Sequence, residues 1–175
     1  MEKRIFIING MARAGKDTFV EMVRAHCNDH LDKDDTVSNV SSVDKVKEIA
    51  ALCGYDESRK SEKDRKFLCD LKSLLTEYND FPFTCLEDAV AEFENDPEKV
   101  FLFLHMREPD EIRRAKEAFH ALTILVRRTG IDPVTTNEAD ANVENYTYDY
   151  ELYNDGTLED WYVKAGRFAN LWMDD

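Results

Sequence analysis

One segment restricts the fold of this chain more than any other: Gly10-Met11-Ala12-Arg13-Ala14-Gly15-Lys16-Asp17-Thr18. It follows Lys3–Asn9 (KRIFIIN), a short apolar run with β-branched residues that reads as a buried strand. It precedes Thr18–Leu31, where Phe19, Met22, Val23, Cys27 and Leu31 recur at helical spacing. A strand that passes through G-x4-G-K straight into a helix has the local form of a phosphate-binding loop. A phosphate presents oxygens on every side, and a loop that turns its own N–H groups inward satisfies them. The new helix adds its positive end. Gly10 and Gly15 permit the tight backbone path, Lys16 is placed to reach the β- and γ-phosphates of ATP, and Thr18 can serve a magnesium shell.

The rest of the chain repeats strand and helix. Thr36–Val43 is a weaker strand candidate, and Asp44–Cys53 reads as a helix stopped at Gly54. Ser61–Tyr78 places Phe67, Leu68, Leu71, Leu74 and Leu75 on one helical face. Pro82 is expected to interrupt, with a short helix over Thr84–Phe93 ending near Pro97. Lys99–Met106 (KVFLFLHM) reads as a central strand, Pro109 opens a helix through Phe119, and Ala121–Val126 is a further buried strand. Tyr146–Tyr153 alternates aromatic and polar residues and reads as an edge strand. Asn154-Asp155-Gly156 is a turn, and Thr157 caps a last helix to Trp172. Short apolar strands alternating with helices argue for a parallel sheet covered on both faces.

At 175 residues, 43% hydrophobic and 34% charged, the chain suits one soluble globular domain. No apolar run approaches the ~20 residues that span a bilayer, and Ile5–Ile8 is too short for a signal-peptide core. The net charge of −14 repels nucleic acid and anionic lipid at long range. Cys27, Cys53, Cys69 and Cys85 are widely spaced, which reads as buried free thiols in a reducing, cytoplasmic setting. His26 and His30 stand one helical turn apart, a spacing that can bind metal, but no glutamate accompanies them as in H-E-x-x-H; a boundary helix face is the better reading. His105 is a possible general base set in an apolar strand, where a structural role competes.

The ending Gly15-Lys16-Asp17-Thr18 departs from the usual Ser or Thr directly after the lysine. G-K-D-T resembles the deoxynucleoside monophosphate kinases of the phage type and related small-metabolite kinases, within the P-loop kinases. Later segments are similar to that family in order and spacing: Asp44-Lys45-Val46-Lys47, His105-Met106-Arg107-Glu108-Pro109, Arg127-Arg128, and Asn154-Asp155-Gly156-Thr157-Leu158. His105 stands where the family often has an Asp.

The resemblance implies a three-layer α/β fold with a five-stranded parallel sheet. Within a single domain of 1–175 it implies a core of 1–44 and 98–175, a helical acceptor-binding insert of about 45–97, and a lid-like loop of about 127–145. It implies ATP and Mg2+ as cofactors and a small phosphorylated acceptor, with phosphomevalonate, dephospho-CoA, a sugar acid or a purely regulatory nucleotide site as alternatives. Donor binding would rest on Gly10 to Thr18 with Asn154 and Gly156. Thr18 and Asp17 would hold metal, although Asp17 could instead simply complement the helix dipole. Lys16, Arg107, Arg127 and Arg128 would act on the transferring phosphoryl group. Asp44, Lys47, Arg65 and Arg107 would meet the acceptor, although Arg65 lies in a mixed charge run where an exposed helix face competes. Between Thr129 and Val163 there are nine acidic residues and no Lys or Arg, so Arg127 and Arg128 stand out as clamps, with surface solvation as the alternative.

Overall fold

A computed structural model describes residues 2–59, 61–130 and 142–173. Its five strands are β1 (Arg4–Asn9), β2 (Val37–Ser41), β3 (Phe101–His105), β4 (Leu122–Arg127) and β5 (Tyr150–Tyr153), in the order β2-β3-β1-β4-β5. They form a parallel sheet, with Ile7 opposite Leu104 on one side and Thr123 on the other. The chain resolves into two compact units, Met1–Asn39 with Phe93–Asp175, and Val40–Glu92.

In the first unit, α1 (Lys16–Leu31) and α6 (Leu158–Met173) pack on one sheet face. Phe6, Phe19, Phe103, Phe168 and Trp172 fill that layer, with Phe6 5.2 Å from Phe103 and 5.0 Å from Phe168 between ring centroids. Helix α5 (Pro109–Phe119) contacts β1 and β4 and buries Ile112 and Ala115. Its start matches the sequence expectation because proline at the first helical position gives up no needed N–H. Phe6, Ile7, Ile8 and Asn9 of β1 are wholly buried. This central strand therefore delivers the chain to the carboxyl edge of the sheet, where open α/β folds bind ligands.

The second unit holds α2 (Asp44–Leu52), α3 (Glu62–Asn79) and most of α4 (Phe81–Asn95). Its bounds fall a few residues before the expected 45–97 insert at each end. A capping box starts α3, with Ser61 and Asp64 each accepting the other's backbone N–H. Pro82 does not interrupt: Asp80 breaks the path at φ 57°, and α4 takes Pro82 into its first turn, where its missing N–H has no helical partner to lose. The apolar face of α3 is no core face either. None of its residues is buried, and Phe67 and Leu74 are 37% and 62% exposed.

Two further expectations change. Strand β5 begins only at Tyr150, because Tyr146 and Tyr148 stack edge-on at 5.0 Å and Tyr148 turns its hydroxyl toward the end of β1. A 3-10 turn spans Asn142–Asn145 ahead of them. All four cysteines are free, but only Cys27 is buried, its thiol pushed up to about 12; Cys53 and Cys69 are exposed. Residues 131–141 of the lid-like loop lie outside the described residues. No helix among the described residues is long and apolar enough to cross a membrane.

Candidate functional site

The loop between β1 and α1 is held by steric and polar constraints that its sequence makes legible. Gly10 has φ 148°, and a Cβ there would lie 2.4 Å from the Val126 carbonyl oxygen. Gly15 has φ 98°, and a Cβ there would lie 2.5 Å from Asn154 Nδ2. Both positions therefore need glycine for space as well as for backbone angle. Arg13, between them, holds φ 65°, a conformation that non-glycine residues adopt at a cost of about 1 kcal/mol or more.

No side chain caps the start of α1. The first intrahelical acceptor is Gly15, whose carbonyl receives Phe19 N–H at 2.9 Å. The helix thus turns its positive end toward the loop with no side chain hydrogen-bonded across it, and Asp17 stands in its first turn. Lys16 folds back over the loop and donates from Nζ to Gly10 O at 2.6 Å and Met11 O at 3.0 Å. Ala14 N–H closes a turn on Met11 O at 3.2 Å.

A second layer braces the loop from the far side. Asn154, just after β5, donates from Nδ2 to Ala14 O at 2.9 Å, and its own N–H reaches Arg127 O at 2.8 Å. Trp161 Nε1 lies 3.3 Å from Gly15 O. The carbonyls of Ala14 and Gly15 are thereby engaged by side chains from beyond the loop. Thr157 and Asp160 form the capping pair that starts α6, Thr157 N–H donating at 2.8 Å and Asp160 N–H at 3.1 Å.

These elements enclose a cavity of about 310 Å3, lined by Arg13, Gly15, Lys16, Asp17, Thr18, Arg128, Asn154, Gly156, Leu158 and Trp161. The structure therefore brings together most of the residues expected at the donor site. Met11 and Ala12 lie in the loop, half-buried, outside that lining. Trp161 is the residue that the motif reading missed. Its place in a helix at the far end of the chain carries no local signal, although a tryptophan one turn into the helix after the Asn154–Gly156 turn sits where it can face the loop.

Other expected residues sit elsewhere. Arg127 is not among the residues lining the cavity. Its guanidinium is taken by two carboxylates, Glu144 at 2.5 and 2.9 Å and Glu151 at 2.9 and 3.2 Å, which hold it protonated well above the ordinary arginine range. Arg107 follows β3, half-buried, with its carbonyl receiving Asn9 Nδ2 at 3.3 Å. His105 ends β3 and places Nδ1 3.7 Å from Asp17 Oδ1, so it looks toward the loop rather than into the core. His26 meets Asn170 Oδ1 at 2.8 Å, joining α1 to α6. In the Val40–Glu92 unit, Asp44 accepts Ser41 N–H at 2.7 Å, Lys47 pairs with Glu57 at 2.6 Å, and Arg65 is exposed on the first turns of α3.

No family model matches the chain, and no curated protein matches it. Solved structures do. A thymidylate kinase from Ehrlichia chaffeensis superimposes with a TM-score of 0.50 over 96% of this chain and 99% of its own, at 6% identity. A shikimate kinase from Bacteroides thetaiotaomicron gives 0.49 over 99% of both chains at 15% identity. Such identities speak to architecture alone. With its phosphate-type loop at the carboxyl end of the central strand of a parallel sheet, the chain has the P-loop kinase fold.

Proposed function

We propose that the protein transfers a phosphoryl group from ATP to a small phosphorylated acceptor, a nucleoside or deoxynucleoside monophosphate before other metabolites. The observation that carries this reading is the cavity itself: Arg13, Lys16 and Arg128 line a space floored by an uncapped helix N-terminus. In a chain with net charge −14, three cations around one cavity favour a polyanionic ligand. Phosphoryl transfer asks for positioning and charge neutralisation more than for covalent help.

Each residue then has a task. The loop backbone from Gly10 to Thr18 orients the donor phosphates. Lys16 exchanges its two carbonyl partners for phosphate oxygens. Arg128 and Arg13 neutralise charge at the cavity mouth, and Asn154, Gly156 and Leu158 border the donor's base. Asp17 and Thr18 offer adjacent oxygen donors on the cavity wall, the ligand type magnesium prefers, so the residues present fit that ion. Bound there, magnesium would neutralise phosphate charge. Arg107 and the residues Asp44, Lys47 and Arg65 are the groups we assign to the acceptor. Arg127, engaged by Glu144 and Glu151, holds the backbone from which Arg128 projects. The protein would work in the cytoplasm on small molecules rather than on nucleic acid.

The test is ADP release with magnesium ATP across a panel of monophosphates, phosphomevalonate, dephospho-CoA and sugar acids. Lys16→Ala should lower acceptor-stimulated turnover at least about 100-fold without unfolding the protein. Undiminished turnover in that variant sinks the assignment. His105, in place of an acidic residue at the end of β3, favours a second reading, a nucleotide-binding regulator. Tight ATP binding with no acceptor-stimulated ADP release would select it.

A further inference from the structure

The end of the central strand carries a polar residue that phosphate binding alone does not require. Phe6, Ile7 and Ile8 are wholly buried, and so is Asn9 after them. A buried amide is costly unless its hydrogen-bonding groups are engaged. Those of Asn9 are engaged on three different segments. Oδ1 accepts Gly10 N–H at 2.8 Å, and Nδ2 donates to Tyr148 Oη at 2.7 Å and toward Arg107 O at 3.3 Å. Tyr148 in turn donates to Val143 O at 3.1 Å, and burial pushes its hydroxyl up to about 12, so it remains a donor across the working pH range.

Gly10 is where two sets of bonds meet, one on each of the two peptide groups that share its Cα. Its N–H is taken by Asn9, and its carbonyl is taken by Lys16 Nζ at 2.6 Å. Any anion that draws Lys16 away from Gly10 O releases the 10–11 peptide, which turns about the same Gly10 Cα as the 9–10 peptide that Asn9 holds. From the Gly10 N–H the change passes by hydrogen bonds through Asn9 to Tyr148 and on to Val143. The same amide anchors the backbone of Arg107.

We infer that Asn9 and Tyr148 are positioning residues that couple the occupancy of the 10–18 loop to residues 142–148 and to the Arg107 backbone. This rests on the ATP reading above. The occupied loop orders the segment that runs from the 3-10 turn into β5, and that segment carries Glu144, one of the two carboxylates that hold Arg127.

Amide hydrogen exchange on the full chain, with and without magnesium ATP, tests it. In the wild type, ATP should slow exchange in 10–18 and also in 142–148. Tyr148→Phe keeps the ring and removes the hydroxyl. It should keep the protection of 10–18, lose that of 142–148, and bind ATP about fivefold more weakly, while a single cooperative unfolding transition shows that the chain remains folded. Asn9→Asp, which retains an acceptor for Gly10 N–H and removes the donor, should show the same selective loss. Retained protection of 142–148 in Tyr148→Phe overturns the inference. So does a wild type in which 10–18 responds and 142–148 does not, and in that case the ATP reading stands. A wild type in which 10–18 itself fails to respond removes both.

Discussion

The loop edge of the sheet and the helical Val40–Glu92 unit solve opposite problems. At the loop edge the backbone is braced by side chains from several segments: Lys16 on Gly10 and Met11, Asn154 on Ala14, Trp161 on Gly15, Asn9 on Gly10. The helical unit contains an 18-residue helix, α3, with no buried residue, held at its start by a capping box and along its length by surface ion pairs such as Lys66–Asp70 at 2.6 Å. Surface pairs of that kind contribute little, about 0–1 kcal/mol. The contrast teaches that one region is specified by its backbone and the other by its surface. A phosphate is the same in every donor, so a rigid cradle serves it. On the proposed function the helical unit meets the acceptor, and a face of exposed side chains can be altered without disturbing the core.

Glycine substitutions sharpen this contrast most. Gly10→Ala places a Cβ against the Val126 carbonyl, a backbone atom that cannot swing aside. It should destabilise the fold by about 3 kcal/mol or more, read as a shift in the denaturant midpoint. Gly54, at φ 87° in the helical unit, has nothing within 4 Å of a built Cβ. Gly54→Ala should therefore cost about 1 kcal/mol, from backbone angle alone. Equal losses at the two sites would erase the distinction between cradle and surface.

A smaller effect separates the two regions by ligand. Arg128→Ala should weaken ATP binding about tenfold in calorimetry, the loss of one charge-assisted contact, and leave the acceptor KM nearly unchanged. Arg65→Ala should do the reverse. The smallest effect tests the exposed helix face. Leu74→Gln replaces a side chain that is 62% exposed. It should change stability by no more than about 0.5 kcal/mol. A loss of 2 kcal/mol would show that the α3 face is a core face after all.

The strand-loop-helix at the start of the chain was legible because every signal there is local: apolar run, paired glycines, lysine, amphipathic helix. Pro109 was legible for the same reason. Pro82 was misread, although the same first-turn rule applies to it, because Asp80 supplies the break two residues earlier and proline was credited with it. Tyr146 and Tyr148 were misread because alternation reports a period, and a turning segment of two aromatic residues has the same period as a strand. Trp161 and Asn9 were beyond reach for a different reason. Their partners lie 146 and 139 residues away along the chain, and no spacing rule spans such separations. The amphipathic pattern of α3 was real as a pattern, but which side of a helix meets a core is decided by neighbours that the pattern does not name. Arg127 and Arg128 are adjacent and alike in sequence. In the structure Glu144 and Glu151 hold Arg127, while Arg128 lies past the end of β4 and lines the cavity.

The fold-back of Lys16 onto Gly10 and Met11 has a consequence for how the loop meets its ligand. The ammonium bridges two carbonyls at the start of the loop and brings positive charge to both. The loop backbone is thus braced by bonds within the chain, and a loop so braced has less ordering entropy to lose on binding. Capture becomes an exchange of partners by one flexible side chain, a motion of nanoseconds rather than a refolding of the loop.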